Sequence, residues 1–175
     1  MIRSSTRLWL SLLVWPAALV AAAGSAAGEP RGVPSVIDGD TIKLEGEAIR
    51  LYGIDAPELG QNCTVKGRIY DCGMVARSAL LDLTAGATVT CEIIAGQPGG
   101  DGAEGKPGRC FAAGYDLSEG MAYTGWALAD RLVSKRYVEH EDGARQARRG
   151  LWKGTFVAPW DWRGGKRLPE ESGTE

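Results

Sequence analysis

The sequence reads as an α+β protein, mainly β: a small five-stranded barrel with about three helices. Three observations predict this. Short extended runs separated by glycine turns fill the region from Val33 to Ile54. A helical period follows at Cys72–Thr84, and two further extended runs come after it. At 175 residues the chain has room for one domain with tails.

The first three strands are Val33–Ile37, Thr41–Glu45 and Ala48–Ile54, linked by Asp38-Gly39-Asp40 and Glu45-Gly46-Glu47. Asp-Gly between apolar runs signals a hairpin, because glycine enters positive φ without penalty. The three runs therefore form a meander. Leu59–Asp71 is polar and reads as a loop holding Cys63. In Cys72–Thr84, residues Met74, Val75, Ala79, Leu80 and Leu83 recur at helical spacing, and Gly86 stands where such a helix stops.

Ala87–Ile94 is a fourth strand and Arg109–Ala113 a fifth, joined by a glycine-rich excursion. Asp116 is placed to cap a helix over Leu117–Thr124, with Glu119 three positions on. Val138–Arg149 is the last helix, ended by Gly150. A helix between the third and fourth of five mostly antiparallel strands favours a barrel of the OB type over a sandwich.

Residues 1–27 read as a segment removed from the fold. Arg3 and Arg7 precede an apolar run from Leu8 to Ala23, and small residues follow. This is the layout of a secretory signal peptide, which implies export to the periplasm or the medium. Removing 27 of 175 residues leaves 148, enough for one core. The division is 1–27 signal peptide, 28–162 folded domain and 163–175 polar tail.

The 20 basic and 22 acidic residues exclude a histone-like polycation. Losing Arg3 and Arg7 leaves 18 against 22, a net −4. A single histidine, His140, excludes a mechanism built on two imidazoles and a multi-His metal site. The four cysteines lack paired C-x-x-C spacing, which argues against structural zinc. In an oxidising compartment they tend to pair, in one of three ways. The reading favours Cys63–Cys72, which closes a short loop beside Glu58, and Cys91–Cys110, which ties the fourth strand to the fifth. Gly100–Lys106 imitates a phosphate-binding loop, but Pro107 stands where a Ser or Thr is needed.

Acids gather around the first three strands: Asp38, Asp40, Asp55 and Glu58. Asp40 opens the second strand and Asp55 ends the third, so a meander brings both to one edge. Converging carboxylate oxygens suit a hard cation such as Ca²⁺ or Mg²⁺. Arg50 and Arg109 each offer a planar donor fork matched to phosphate oxygens.

The stretches Val36-Ile37-Asp38-Gly39-Asp40-Thr41, Arg50-Leu51-Tyr52-Gly53-Ile54-Asp55-Ala56-Pro57-Glu58 and Gly108-Arg109-Cys110-Phe111-Ala112 resemble the staphylococcal-nuclease-like (thermonuclease) family. The likeness continues through Gly125-Trp126-Ala127-Leu128-Ala129 to Gly150-Leu151-Trp152. It implies an OB-type barrel and calcium-dependent hydrolysis of DNA and RNA phosphodiesters with little sequence preference. It further implies that Asp40, Asp55 and the Ala56 carbonyl hold one Ca²⁺, with Asp38 acting on the ion indirectly. By the same resemblance Glu58 handles the attacking water, and Arg50 and Arg109 grip the phosphate.

The partners expected are DNA and RNA, acted on by a monomer without a stable protein partner. The family's stacking tyrosines have no evident counterpart: Lys106-Pro107 and Arg131 stand near their positions. Seven basic residues between Arg145 and Arg167, against one acid, offer a candidate phosphate-attracting face. The alternative expectation is an exported accessory protein that keeps the barrel and has little catalytic role, for instance in exopolysaccharide production.

Overall fold

The structure is a computed structural model that describes residues 28–96 and 105–172. The expected signal peptide and most of the loop resembling a phosphate-binding motif lie outside the described residues. In chain order the strands are β1 (Arg31–Gly32), β2 (Ser35–Val36), β3 (Thr41–Leu44), β4 (Glu47–Leu51), β5 (Ile54–Asp55), β6 (Asn62–Val65) and β7 (Arg68–Asp71). Then come α1 (Cys72–Thr84), β8 (Val89–Ile93), β9 (Lys106–Ala112), β10 (Tyr115–Asp116), α2 (Leu117–Thr124) and β11 (Leu128–Ala129). The chain continues with α3 (Val138–Gln146), a 3-10 turn (Gly150–Lys153), α4 (Pro159–Arg163) and α5 (Pro169–Ser172).

The α+β, mainly β class holds. The five-stranded barrel does not appear as such. One seven-stranded sheet runs β1-β8-β9-β4-β3-β2, with β10 beside β9, and its two ends are not joined among the described residues. β4 and β9 run parallel, and β5–β11 and β6–β7 form separate two-stranded pairs. The end strands, β1 and β2, are two residues each and pair only with β8 and β3 among the described residues.

The meander between β3 and β4 forms as the Glu45-Gly46 signal predicts. Leu44 faces Glu47, and Glu45 and Gly46 both take positive φ, the geometry of a type I′ turn. Gly39 differs from expectation, because its φ is not positive. It is glycine for space: a Cβ there would meet the Cβ atoms of Ala56 and Ala76 at 2.7 and 2.8 Å. The turn carrying Asp38 and Asp40 is therefore pressed against α1.

The expected loop Leu59–Asp71 is a hairpin, β6–β7, turning at Lys66 and Gly67 with φ of 51° and 72°. The helix expected to reach Arg149 ends at Gln146, and Arg148 takes a left-handed φ of 50°. The α2 cap is as expected. Asp116 accepts from the backbone of Ser118 at 3.0 Å and Glu119 at 3.3 Å, and Gly125 closes the helix at φ 79°.

The sheet buries Ile42, Leu44, Ile49, Leu51 and Val89 against Leu80 of α1 and Leu117 and Met121 of α2. Removing these side chains from water is the main force holding the helices on the sheet. Cys91 and Cys110 lie opposite each other in β8 and β9 and are bonded, with Cα atoms 4.1 Å apart. Cys63–Cys72 joins β6 to the start of α1. Both pairings agree with the sequence reading.

Candidate active site

The site grows from the meeting of β3, β4 and β5. Thr41 pairs with Arg50, and the Leu51 amide donates to the Asp40 carbonyl at 2.7 Å. This register sets Asp40 beside Arg50, and Asp55 follows five residues along the chain. One nitrogen of Arg50, Nη2, reaches Asp55 Oδ1 at 2.8 Å and Asp40 Oδ2 at 3.3 Å. The two aspartates are thus gathered on a single guanidinium, and all three side chains are buried.

Asp40 also accepts from the Ala56 amide at 2.9 Å and the Thr41 hydroxyl at 3.0 Å. Asp38 accepts from the Asp40 amide at 3.0 Å and fixes the turn. Burial pushes the Asp40 carboxyl up to about 7; Arg50 pulls it back, while the charges of Asp38 and Asp55 push further. Asp38 therefore acts on the site through charge and turn geometry.

Glu58 follows β5 in a turn held from two sides. Its amide donates to Gln61 Oε1 at 3.1 Å, and its carbonyl accepts from the Gln61 amide at 2.9 Å. Gln61 is fully buried, and its Nε2 donates to the Val157 carbonyl at 2.7 Å. α1 presses on the same turn so closely that only glycine fits at 73.

No family model matches the chain. It is 36% identical over 143 residues to the succinoglycan biosynthesis protein ExoI of Rhizobium meliloti (strain 1021), covering 78% of this chain and 72% of that protein. It is 33% identical over 122 residues to the probable staphylococcal-like nuclease CAN4 of Oryza sativa subsp. japonica, covering 68% of this chain but 22% of that one. Protein ParB of Escherichia coli is 32% identical over 162 residues, 83% of this chain and 86% of its own length. The chain belongs to the staphylococcal-nuclease-like family.

Of the residues that the staphylococcal-nuclease-like resemblance singles out, the structure gathers Asp38, Asp40, Arg50, Asp55, Ala56 and Glu58. Arg109 lies on β9, the strand beside β4, and its side chain is engaged by Glu92. On β9 it lies opposite Glu92, pairs with it at 3.2 Å, and its guanidinium carbon sits 5.2 Å from the centre of the Phe111 ring. Its Nε has no hydrogen-bond partner among the described residues. Arg131 is tied to the buried Glu141 at 2.7 Å, so this arginine props the β11 region.

Sequence reasoning missed Gln61, which no local pattern marks, and Arg163, which it placed in the polar tail. Arg163 ends α4, and its fork meets Asp55 squarely: Nη2 to Oδ2 at 2.8 Å and Nη1 to Oδ1 at 2.9 Å. Nη1 also bonds Glu58 Oε1. These carboxylates hold the guanidinium charged more firmly than usual. Three others of the expected basic run lie over aromatic rings. Arg145 lies over Trp152 at 4.3 Å, Arg149 over Tyr123 at 4.2 Å, and Arg167 over Trp162 at 4.3 Å.

The donor chemistry of Asp40, Asp55 and Glu58 suits a hard cation. Arg50 and Arg163 hold the Asp55 oxygens here, so an ion at these carboxylates would have to displace guanidinium contacts. No three His, Cys, Asp or Glu side chains among the described residues stand ready to surround an ion.

Proposed function

We propose that the protein is an exported phosphodiesterase that cleaves DNA and RNA with little sequence preference and requires Ca²⁺. The observation carrying this reading is the convergence of Asp40, Asp55 and Glu58 on two guanidinium groups, Arg50 and Arg163. Asp40, Asp55 and the Ala56 carbonyl are the groups proposed to hold the cation. When bound, such an ion would supply positive charge to a phosphodiester and acidity to water.

The chain's own residues account for the remaining work. Phosphodiester hydrolysis concentrates negative charge on equatorial oxygens, and Arg50, held by Asp40 and Asp55, is the donor proposed to meet it. Losing such a preorganised donor costs about 10²–10³ in rate. Arg109 is the second proposed phosphate donor, and it reaches the phosphate by exchanging its Glu92 contact. The Glu58 backbone is held by Gln61, and its carboxylate is the group proposed to orient a water and accept its proton once Arg163 releases it. Two disulfides suit an oxidising destination. No helix among the described residues is long and apolar enough to cross a membrane.

A second reading is an exported accessory protein with little catalytic role. It is favoured by the Arg163 contacts with Asp55 and Glu58, and by the succinoglycan biosynthesis name of one relative. Plasmid nicking with calcium, with and without a chelator, separates the two. The phosphodiesterase reading expects chelator-sensitive nicking that Glu58→Gln, Arg50→Ala and Arg109→Ala each reduce by about 10²-fold or more. Unchanged rates in all three variants place the chemistry elsewhere, and no nicking by the parental protein favours the accessory reading.

A further inference from the structure

We infer that Arg163 is an internal latch on the acid centre, occupying the place of a divalent cation, so that an ion gains Asp55, and Glu58 is freed, only when α4 lifts away. The inference rests on the proposed reading of the site and adds its regulation.

The contacts make the two occupants exclusive. Calcium binds oxygen at about 2.3–2.6 Å and needs six or more such ligands. Here both oxygens of Asp55 and one of Glu58 face the Arg163 fork at hydrogen-bond distance, and Asp55 Oδ1 carries Arg50 as well. The Asp55 side chain is 3% exposed, which leaves no open side for a second cation. An ion added beside Arg163 would also set like charges against each other in a partly buried setting.

The segment carrying Arg163 is suited to move. α4 is one short turn of helix between two fixed points. Before it, the Val157 carbonyl is held by Gln61; after it, Leu168 is buried. Gly164 and Gly165 lie between Arg163 and Leu168, and Gly165 takes a φ of 94° that favours glycine. Pro159 of the same turn is buried, while Trp160 is 41% exposed. The contacts of Arg163 with Asp55 and Glu58 tie this turn to the acid centre.

A latch reduces the ion's apparent affinity by the fraction of molecules in which it is open. Titration of the full chain with calcium, read by calorimetry, should give about tenfold or tighter binding in Arg163→Gln than in the parental protein. Arg163→Lys, which keeps the charge and loses the fork, should fall between them. Hydrogen exchange on the parental protein gives a readout independent of any substitution: calcium should accelerate exchange of the amides of 159–165.

Equal affinity in parental and Arg163→Gln proteins overturns the latch, as does absence of calcium binding in both. Unchanged or slower exchange of 159–165 with calcium overturns it too, and decides the matter if Arg163→Gln does not fold. Plasmid nicking is scored separately. Nicking with equal affinities ends the latch and leaves the phosphodiesterase; tighter binding without nicking ends the phosphodiesterase and leaves the latch.

Discussion

Replacing Gly73 with Ala tests how Glu58 is positioned. Gly73 is the second residue of α1 and has ordinary helical conformation, so propensity alone would reward alanine by about 1 kcal/mol. The packing opposes it. An added Cβ would lie 1.8 Å from the Glu58 carbonyl oxygen and 2.5 Å from its carbon. Carbon–oxygen contacts normally close at about 3.3 Å, so the Glu58 backbone must retreat by about 1.5 Å.

That neighbour is backbone, which cannot rotate aside, and it is tied to Gln61 at 2.9 Å. Overpacking of this kind costs about 1–3 kcal/mol, and a clash this deep belongs at the upper end. Set against the propensity gain, the net loss is about 2 kcal/mol, a shift of about 1 M in the urea midpoint. A misplacement of this size at a catalytic group costs about 10² in rate.

Gly46→Ala is the matched control. It forces a left-handed alanine at φ 87° with nothing within 4 Å, a cost of about 1–2 kcal/mol at a point remote from Glu58. Both variants should lose similar stability in urea, but only Gly73→Ala should lose nicking. If Gly73→Ala nicks DNA at the parental rate, or both variants lose it equally, α1 does not set the position of Glu58.

Two further outcomes follow from the structure. Burial, the Asp116 charge and the hydrogen bond to Asp116 push the Tyr137 hydroxyl up to about 12, against about 10 when unfolded. Its native pKa is raised, so its stabilising contribution is full below pH 10 and is lost as pH climbs towards 12. Urea unfolding at pH 9 and 11.5 should show an alkaline loss of about 2 kcal/mol that Tyr137→Phe removes; equal losses in both proteins would refute the assignment. Replacing Cys91 and Cys110 by Ser should lower stability by about 3 kcal/mol, read as a fall in the unfolding midpoint that reductant reproduces in the parental protein. No difference between oxidised and reduced protein would mean that the bridge adds nothing to the strand pairing already there.

What was legible in the sequence had a local cause. The α2 start was readable because Asp116 and the amides it caps are two and three residues apart. The Glu45-Gly46 turn was readable because two positive φ angles need a permissive residue. The β6–β7 hairpin was missed although Lys66-Gly67 is a turn of the same kind as Glu45-Gly46, because Asn62, Thr64, Arg68 and Asp71 interrupt the apolar residues on either side and make the stretch read as a polar loop. Gly39 was noticed for the wrong reason. Its conformation is ordinary, and what demands glycine is the approach of Ala56 and Ala76, 17 and 37 positions away.

The acid centre was legible in its members but not in its state, and charge explains the difference. Asp40, Arg50 and Asp55 lie within one meander, so register alone brings them together. Arg163 reaches Asp55 across 108 positions, and a run of basic residues near the chain's end gives no sign of which one will turn inward. Arg145, Arg149 and Arg167 share that run and settle on aromatic rings. Arg163 differs by ending a helix turn whose entry is fixed by Gln61, which also holds Glu58. One buried amide therefore couples the position of the candidate base to the segment that neutralises it. A complete motif fixes which charges are available to the site; that coupling fixes whether they face a ligand or each other.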